Sequence, residues 1–558
     1  MPPEPEPSAV AALADALRLP EIVCRLVVAR GYADPDAAKR FLRPRLEHLH
    51  APSTLMDLDR AVERLAHAIR QREVILVHGD YDVDGMCSTT IMLRTLRLLG
   101  GRAEPFIPQR LRDGYDLTDA GVRAAADVGA RVVVTCDCGT SAIEPVRQLQ
   151  ASGVDVIITD HHLPGGPLPE AFAIINPKRP GCPSTDKDLA AVGVAFKLAL
   201  GLVRAFGTNE NAVFEMLDLV ALATVADIAP LRGENRVFVR YGLRLMAETR
   251  NVGLRALIRA AGLERKALTA GRVGYILAPR LNAVGRLDHA LRGVELLTAE
   301  EEADANRLAR DFEELNVRRQ EIDRETLEVA VRMVEAMDLD ETYGIVLAGD
   351  GWHPGVIGIV ASRIVEQFGR PTILIALDGD EGKGSGRSIT PFDLHAGIGK
   401  CRDLLIRFGG HRSAAGITIA RDRVAEFATR FNEAARAALS PEDLVPEVRA
   451  DLELPFDGAT EQLESLLRHM EPCGAGNPSP VLVSRGVALA APPRTVGKNG
   501  LRLVLQGGGH TLTAIGWGMA ERKGELDLGR PIDVAFRLDR DEWKGESRLQ
   551  ARLTDFQG

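Results

Sequence analysis

Aromatic residues are scarce: 16 Phe, 6 Tyr and 3 Trp, or 4% of 558 residues, so stacking against a flat ligand falls to a few rings. No apolar run approaches the ~20 residues that a membrane-spanning helix needs. The N-terminal stretch "MPPEPEPSAV" has neither the basic start nor the apolar core of a secretory signal. The seven cysteines are odd in number and scattered; Cys136 and Cys138 form a close pair, but no second pair stands at zinc-ligand spacing. These features exclude a disulfide scaffold and a thiolate zinc site, and they fit reduced cysteines in a cytoplasmic protein. Positive charge is also short, with 69 Lys and Arg against 78 Asp and Glu and a net charge of −9. A deficit of that sign opposes nucleic-acid binding on average. It does not describe local patches, and bound metal ions cancel carboxylate charge.

What remains is an ordinary globular composition, 45% hydrophobic and 26% charged, long enough for three or four domains. From residue 73, short Val/Ile-rich runs alternate with helical stretches: "EVILV", "RAEPFI", "RVVVTCD", "DVIITD" and "AFAIINP". Continuous apolar strands between helices predict a parallel sheet covered on both faces. Residues 298 to 338 contain neither Gly nor Pro. They predict a helix of ~60 Å if unbroken, or two shorter ones, with "TAEE" at Thr298 to Glu301 as a capping box. A second α/β unit begins at "YGIVLAG", with the glycine-rich "GDEGKGSGRS" and "FGGHRSAAG" expected on turns. After Leu444 come five short strands, which suggest a small barrel of the OB type. The expected architecture is multidomain α/β: an N-terminal helical segment (1–50), a parallel-sheet domain (51–297), a connector helix (298–340), a smaller α/β domain (341–443) and an OB-like five-stranded β-barrel (444–558).

The acidic residues have a pattern of their own. "VHGDYDVDGMCST" (77–89) places Asp80, Asp82 and Asp84 just beyond one predicted strand. Asp137 ends a second strand, and Asp160, His161 and His162 end a third. The carboxyl ends of strands in an open parallel sheet are where ligands bind, so these groups should converge. Carboxylates a few Å apart cannot all ionise without a counter-charge. A pair of divalent cations resolves the conflict, and oxygen plus imidazole ligands suit Mn²⁺. Two such ions ~3.5–4 Å apart are an established arrangement for hydrolysing phosphate esters. A calcium loop fits poorly, because the twelfth position counted from Asp80 is Ile91 where a glutamate is needed.

"GDYDVDG", "TCDCG", "TDHH" and "VALATVADIAPLRGENR" resemble, in order, the four motifs of the DHH phosphoesterase superfamily. "FGGHRSAAG" resembles the motif of its accessory DHHA1 domain. "GYILAPRLNAVGR", "WHPGVIGIVASR", "KGSGRS" and "MEPCGAGNPSPV" are similar to segments of the superfamily's RecJ branch, and the likeness runs from about residue 20 to the end. The resemblance implies a hydrolase: a single-stranded-DNA-specific 5′-to-3′ exonuclease of DNA repair and recombination, releasing mononucleotides with two Mn²⁺ or Mg²⁺ ions. It implies metal ligation by His78, Asp82 and Asp137 at one ion and by Asp84, Asp137, His161 and Asp227 at the other. Asp80 and Asp160 would be supporting or alternative ligands, and His162 a group facing the scissile phosphate. Arg280, Arg286, Ser385, Arg387, Ser388, Gly409, Gly410 and His411 would hold DNA phosphates from the second domain. A single-strand-binding protein and a helicase are the partners implied. The sequence requires no membrane and nothing beyond a monomer.

Overall fold

A computed structural model describes residues 4–543 and 546–558. Strands β1 (Val74–Gly79), β2 (Arg102–Phe106), β3 (Val132–Cys136), β4 (Asp155–Thr159) and β5 (Ala173–Ile175) form one sheet in the order β2-β1-β3-β4-β5, every pairing parallel. β3 is buried throughout and β1 and β4 nearly so, which explains their unbroken Val/Ile runs. The order reverses between β1 and β3. Such a switch point opens a crevice at the strands' carboxyl ends. Helix Val83–Leu98 leaves β1 and runs through the middle of the domain, burying Met86, Ile91, Met92, Leu93 and Leu96.

Helix Glu302–Glu335 then spans 34 residues, ~51 Å at 1.5 Å per residue. The expected capping box does not form. Thr298 ends the preceding helix and its hydroxyl donates back to the Val294 carbonyl at 2.7 Å, while Glu301 takes the cap position without a side-chain bond. The second sheet has the order β6-β7-β8-β10-β9: β6 (Ile345–Asp350), β7 (Thr372–Asp378), β8 (Glu381–Arg387), β9 (Leu405–Gly410) and β10 (Ala414–Ala420). The glycine-rich stretches expected on turns are therefore largely strand. Gly382, Gly384 and Gly386 lie inside β8, where a Cβ would meet Ile375, Ile417 and Leu394 or Ile373 at 2.5 to 3.1 Å. Here glycine serves close packing between neighbours and helices rather than a turn.

The C-terminal barrel is closed. β12 (Leu482–Val496), β13 (Gly500–Gly507), β14 (His510–Gly516), β16 (Glu546–Gln557) and β15 (Ile532–Trp543) pair in that order, and β15 pairs back with β12. A short β11 (Leu452–Glu453) adds to β12. The N-terminal helices Pro7–Leu17, Glu21–Ala29 and Pro35–Leu42 share their apolar core with this barrel, not with the sheet that follows them in sequence. Buried Arg236 ties the units together. Its guanidinium donates to the carbonyls of Phe41, Met470, Glu471 and Pro472 at 2.8 to 3.0 Å. No helix of the described residues is long and apolar enough to cross a membrane.

Candidate metal centre and phosphate pocket

The turn after β1 is built by its own residues. Asp82 caps helix Val83–Leu98, its Oδ1 accepting the N–H groups of Asp84 at 2.9 Å and Gly85 at 3.1 Å. Gly85 is required there, because a Cβ would lie 2.4 Å from the Asp80 carbonyl oxygen. Asp84 points to another helix: its two oxygens accept the N–H groups of Ala191 and Val192, at 3.0 and 2.8 Å, at the start of helix Ala191–Ala205. Asp137 leaves β3 with φ of +66°, a left-handed conformation uncommon outside glycine. Asp227 follows helix Leu217–Ala226, and Ile228 after it has φ of +59° with 73% exposure.

These turns bring the ligand atoms together. Asp80, Asp82 and Asp137 form one group with donor atoms all within 4.8 Å of one another, and Asp84, His161 and Asp227 form another. Asp137 also groups with His161 and His162, so it stands between the two sets. His161 Nε2 is 3.3 Å from Asp137 Oδ1 and 3.7 Å from Asp227 Oδ2. Asp160 stays behind them. It accepts from the N–H groups of Thr140, His161 and His162 and from His162 Nδ1 at 2.7 Å. It orients the histidines and is not part of these groups. Tyr115 places its hydroxyl 3.2 Å from His162 Nε2.

His78 does not join them. Its side chain leaves β1 one step before the turn and packs against Gly121, where a Cβ would come 2.7 Å from the ring, with Phe106 at 5.3 Å between centroids and Cys138 Sγ 3.5 Å from Nδ1. Asp80, expected as a supporting or alternative ligand, groups with Asp82 and Asp137 where His78 was expected.

The charges are in conflict. Burial, then neighbouring carboxylates, raise Asp80, Asp137 and Asp227 well above the ordinary range and Asp84 to about 7. Burial lowers His161 to about 3, leaving a neutral imidazole fit for ligation. Burial is the largest single influence on His162 and opposes its charge, but the hydrogen bond to Asp160 and the charges of Asp160, Asp227 and Asp80 together outweigh it and lift it to about 9. Asp80 Oδ1 and Asp137 Oδ1 are buried with no hydrogen-bond partner. Crowded carboxylates, orphaned oxygens and a neutral imidazole without a thiolate fit hard divalent cations.

Arginines gather beside this centre. Arg286 sits half-buried, and burial followed by Arg110, Arg387 and Arg319 lowers it to about 10, with Asp82 also within electrostatic reach. Its Nη1 donates to the Gly355 carbonyl at 2.7 Å. Arg387 Nη1 lies 3.2 Å from Ser385 Oγ. Gly358, at the start of helix Ile357–Phe368, packs so closely that a Cβ would lie 2.8 Å from that hydroxyl and 3.1 Å from Arg387 Nη2. Guanidinium groups, a hydroxyl and a helix N-terminus thus lie close together. Gly409, Gly410 and His411 are exposed on β9 and the hairpin turn that follows, at the end of the sheet where Ala414 pairs with Arg387. Two expected contacts are otherwise engaged. Arg280 forms a two-pronged pair with Glu313 of the long helix and donates to the Ile276 carbonyl, and the Ser388 hydroxyl donates to the Phe392 carbonyl at 2.9 Å. Arg110 was not anticipated. It lies in the loop after β2, 4.9 Å over the Tyr81 ring, and the basic "PQRLR" was the only sign of it.

Comparison with known proteins decides the family. The DHH family N-terminal domain matches residues 74–224, the DHHA1 domain 341–437 and the RecJ OB domain 450–555. The single-stranded-DNA-specific exonuclease RecJ of Bacillus subtilis is 36% identical over 99% of this chain and 70% of its own length. This chain belongs to the RecJ family. The Escherichia coli RecJ is 35% identical over 95% of both chains. The crystal structure of Thermus thermophilus RecJ in complex with Mn²⁺ superposes with a TM-score of 0.85 at 32% identity, covering 100% of this chain and 78% of that one. The same protein with Mg²⁺ gives 0.80 at 31%, over 100% and 77%.

Proposed function

We propose that the chain is a metal-dependent exonuclease that degrades single-stranded DNA from the 5′ end and releases mononucleotides, in DNA repair and recombination. The observation that carries this reading is the adjacency of two opposite sites. A carboxylate–imidazole centre lies next to an arginine pocket, with Asp82 within the electrostatic reach of Arg286. A 5′-terminal phosphate held by Arg286, Arg387 and Ser385 would leave the first phosphodiester at the acidic centre, so each cut frees one nucleotide. Strand polarity then follows from which end carries the terminal phosphate.

Two divalent cations, one held by Asp80, Asp82 and Asp137 and the other by Asp84, His161 and Asp227 with Asp137 between them, would polarise the scissile phosphoryl group and acidify a water. Asp160 fixes the His162 ring and keeps it charged, so its free edge, shared with Tyr115, can donate to a phosphate oxygen or to the departing alkoxide. Arg286 and Arg387 fix the strand end against the centre, converting encounter into a positioned reaction.

The test uses a long single strand labelled at its 5′ end, the same strand labelled at its 3′ end, and the matching blunt duplex, each with purified protein and Mn²⁺. Early release of the 5′ label as mononucleotide, with the duplex spared, is expected. Release of the 3′ label first, or an intact long strand beside cleaved dinucleotides, would replace this reading with another phosphoesterase activity.

A further inference from the structure

The long helix Glu302–Glu335 buries one stripe, and that stripe changes character midway. Leu308, Phe312, Ala330 and Val334 are apolar, but between them stand Asn316, Arg319, Asp323 and Thr326, all buried. Spacings of three and four residues put them on one helix face. Polar groups in such a place cost stability unless they are paired or used. Here the pairing is partial. Asp323 Oδ2 lies 3.0 Å from Arg363 Nη2 on helix Ile357–Phe368 and 3.8 Å from Arg319 Nη1, too far for a hydrogen bond. Arg319 Nη2 donates to Asn316 Oδ1 at 2.8 Å. Asp323 Oδ1 and Arg319 Nε are buried with no hydrogen-bond partner among the described residues. Burial raises the Asp323 carboxyl, but Arg363 and Arg319 act against that and keep it charged at neutral pH.

This polar stretch lies behind the arginine group. Arg319 is one of the charges felt by Arg286, and Arg286 in turn acts on Asp323. Helix Ile357–Phe368 carries Arg363, while Gly358 in its first turn packs against Arg387 and Ser385. Arg286 therefore has two carboxylates within electrostatic reach. Asp82 belongs to the metal centre, and Asp323 stands outside the groups of ligand atoms.

A terminal phosphate bound by Arg286, Arg387 and Ser385 remains part of the mononucleotide that each cut frees. The product then stays on the same arginines until it leaves. Binding that is equally tight before and after the cut does not speed the chemical step, and slow departure of product limits many enzymes. A buried carboxylate behind the arginines lowers their pull on a phosphate without touching it.

We infer that Asp323 is a positioning residue that acts through Arg319 and Arg286 to weaken phosphate binding, so that the 5′-mononucleotide product can leave. The inference rests on the proposed nuclease reading. A salt bridge that only tied the long helix to helix Ile357–Phe368 would give the same loss whichever partner was removed. A tuned charge gives opposite effects from its two sides.

The test uses Asp323→Asn, close in shape to the parent, and Arg319→Gln, each in the full chain. Inhibition by thymidine 5′-monophosphate and by inorganic phosphate is measured during hydrolysis of a 5′-phosphorylated single strand with Mg²⁺. Melting temperatures are measured without metal, with and without inorganic phosphate. Asp323→Asn is expected to lower both inhibition constants by about tenfold. Its kcat should fall by a similar factor and its KM by more, so that kcat/KM rises. Phosphate should raise its melting temperature more than it raises the parent's. Arg319→Gln should move both inhibition constants upward, and Asp323→Glu, which keeps the charge, should return them toward the parent's values. Unchanged or raised inhibition constants in Asp323→Asn overturn the inference, as does a fall in its kcat/KM or a shift of the same sign in Arg319→Gln. If the parent cuts no single strand, the nuclease reading falls and the melting temperatures decide alone. A larger phosphate shift in Asp323→Asn then upholds the role of Asp323 at the arginine group, and an equal or smaller one overturns it.

Discussion

At the carboxyl ends of β1 and β3, Asp80, Asp82, Asp84 and Asp137 crowd together with Asp227; beside them Arg110, Arg286, Arg319 and Arg387 crowd in the same way. The two groups store opposite charge, and they can relieve it by different means. A carboxylate can take up a proton, as the raised values of Asp84 and its neighbours show. A guanidinium cannot usefully lose one, and Arg286 at about 10 stays charged at neutral pH. The acidic group therefore has two resting solutions, protons or cations, whereas the basic group has one, an anion. This makes the acidic side conditional on metal and pH, while the basic side stays positively charged across the same range.

The strongest way to break the comparison is to remove the shared acidic residue. Asp137→Asn should lower kcat by about 10³-fold or more, the scale on which loss of a preorganised charge-stabilising element acts. Affinity for a 5′-phosphorylated strand, measured without metal, should change little because the arginines are intact. Residual cleavage near the parent rate would remove Asp137 from the centre.

A smaller effect is expected on the basic side. Arg387→Ala should lower kcat/KM for 5′-phosphorylated strands by about 10- to 10²-fold, as for loss of a charged hydrogen bond, and leave 5′-hydroxyl strands much less affected. Arg280→Ala is the companion. Its guanidinium is bound to Glu313, so it should lower the melting temperature without changing the salt dependence of DNA binding. A shared loss of phosphate preference in both variants would place Arg280 in the pocket after all.

The smallest effect sharpens the contrast in how charge is relieved. In the metal-free protein the folded state holds more protons than the unfolded chain, because Asp84 sits at about 7 and Asp80, Asp137 and Asp227 are also raised. Stability contributed this way is present below the ordinary carboxylate range and is lost as pH rises through the raised values. The melting temperature without metal should fall from about pH 5 to about pH 8, and saturating Mn²⁺ should flatten that slope. A metal-free melting temperature that rises over this window would mean the carboxylates are not crowded as described.

How much of this was legible in the sequence differs along the chain. Asp82, Asp84 and Asp137 could be placed because their turns are local: a strand end, a cap and a tight turn occupy a few residues each. His78 stands outside the groups of ligand atoms for a reason equally local. Its ring packs against Gly121 of helix Asp119–Val128, and spacing within a motif does not reveal which neighbour a side chain packs on. Arg280 and Arg286 sit six positions apart in one motif and look alike in sequence. Only the long helix, which brings Glu313 to one and not the other, separates their roles. The capping box at Thr298 failed because the preceding helix claims that residue as its last.

By itself the sequence determined the class of fold, the acidic strand ends and the hard-ligand chemistry. Those depend on patterns repeating over two to four residues, where backbone geometry leaves few choices. Tertiary structure decided which carboxylates meet, which arginines lie away from a carboxylate partner, and the seating of the N-terminal helices on a barrel more than 400 residues away. Those outcomes depend on packing and register between distant segments. There the loop length is nearly free energetically, and one residue of slip sends every side chain to the other face.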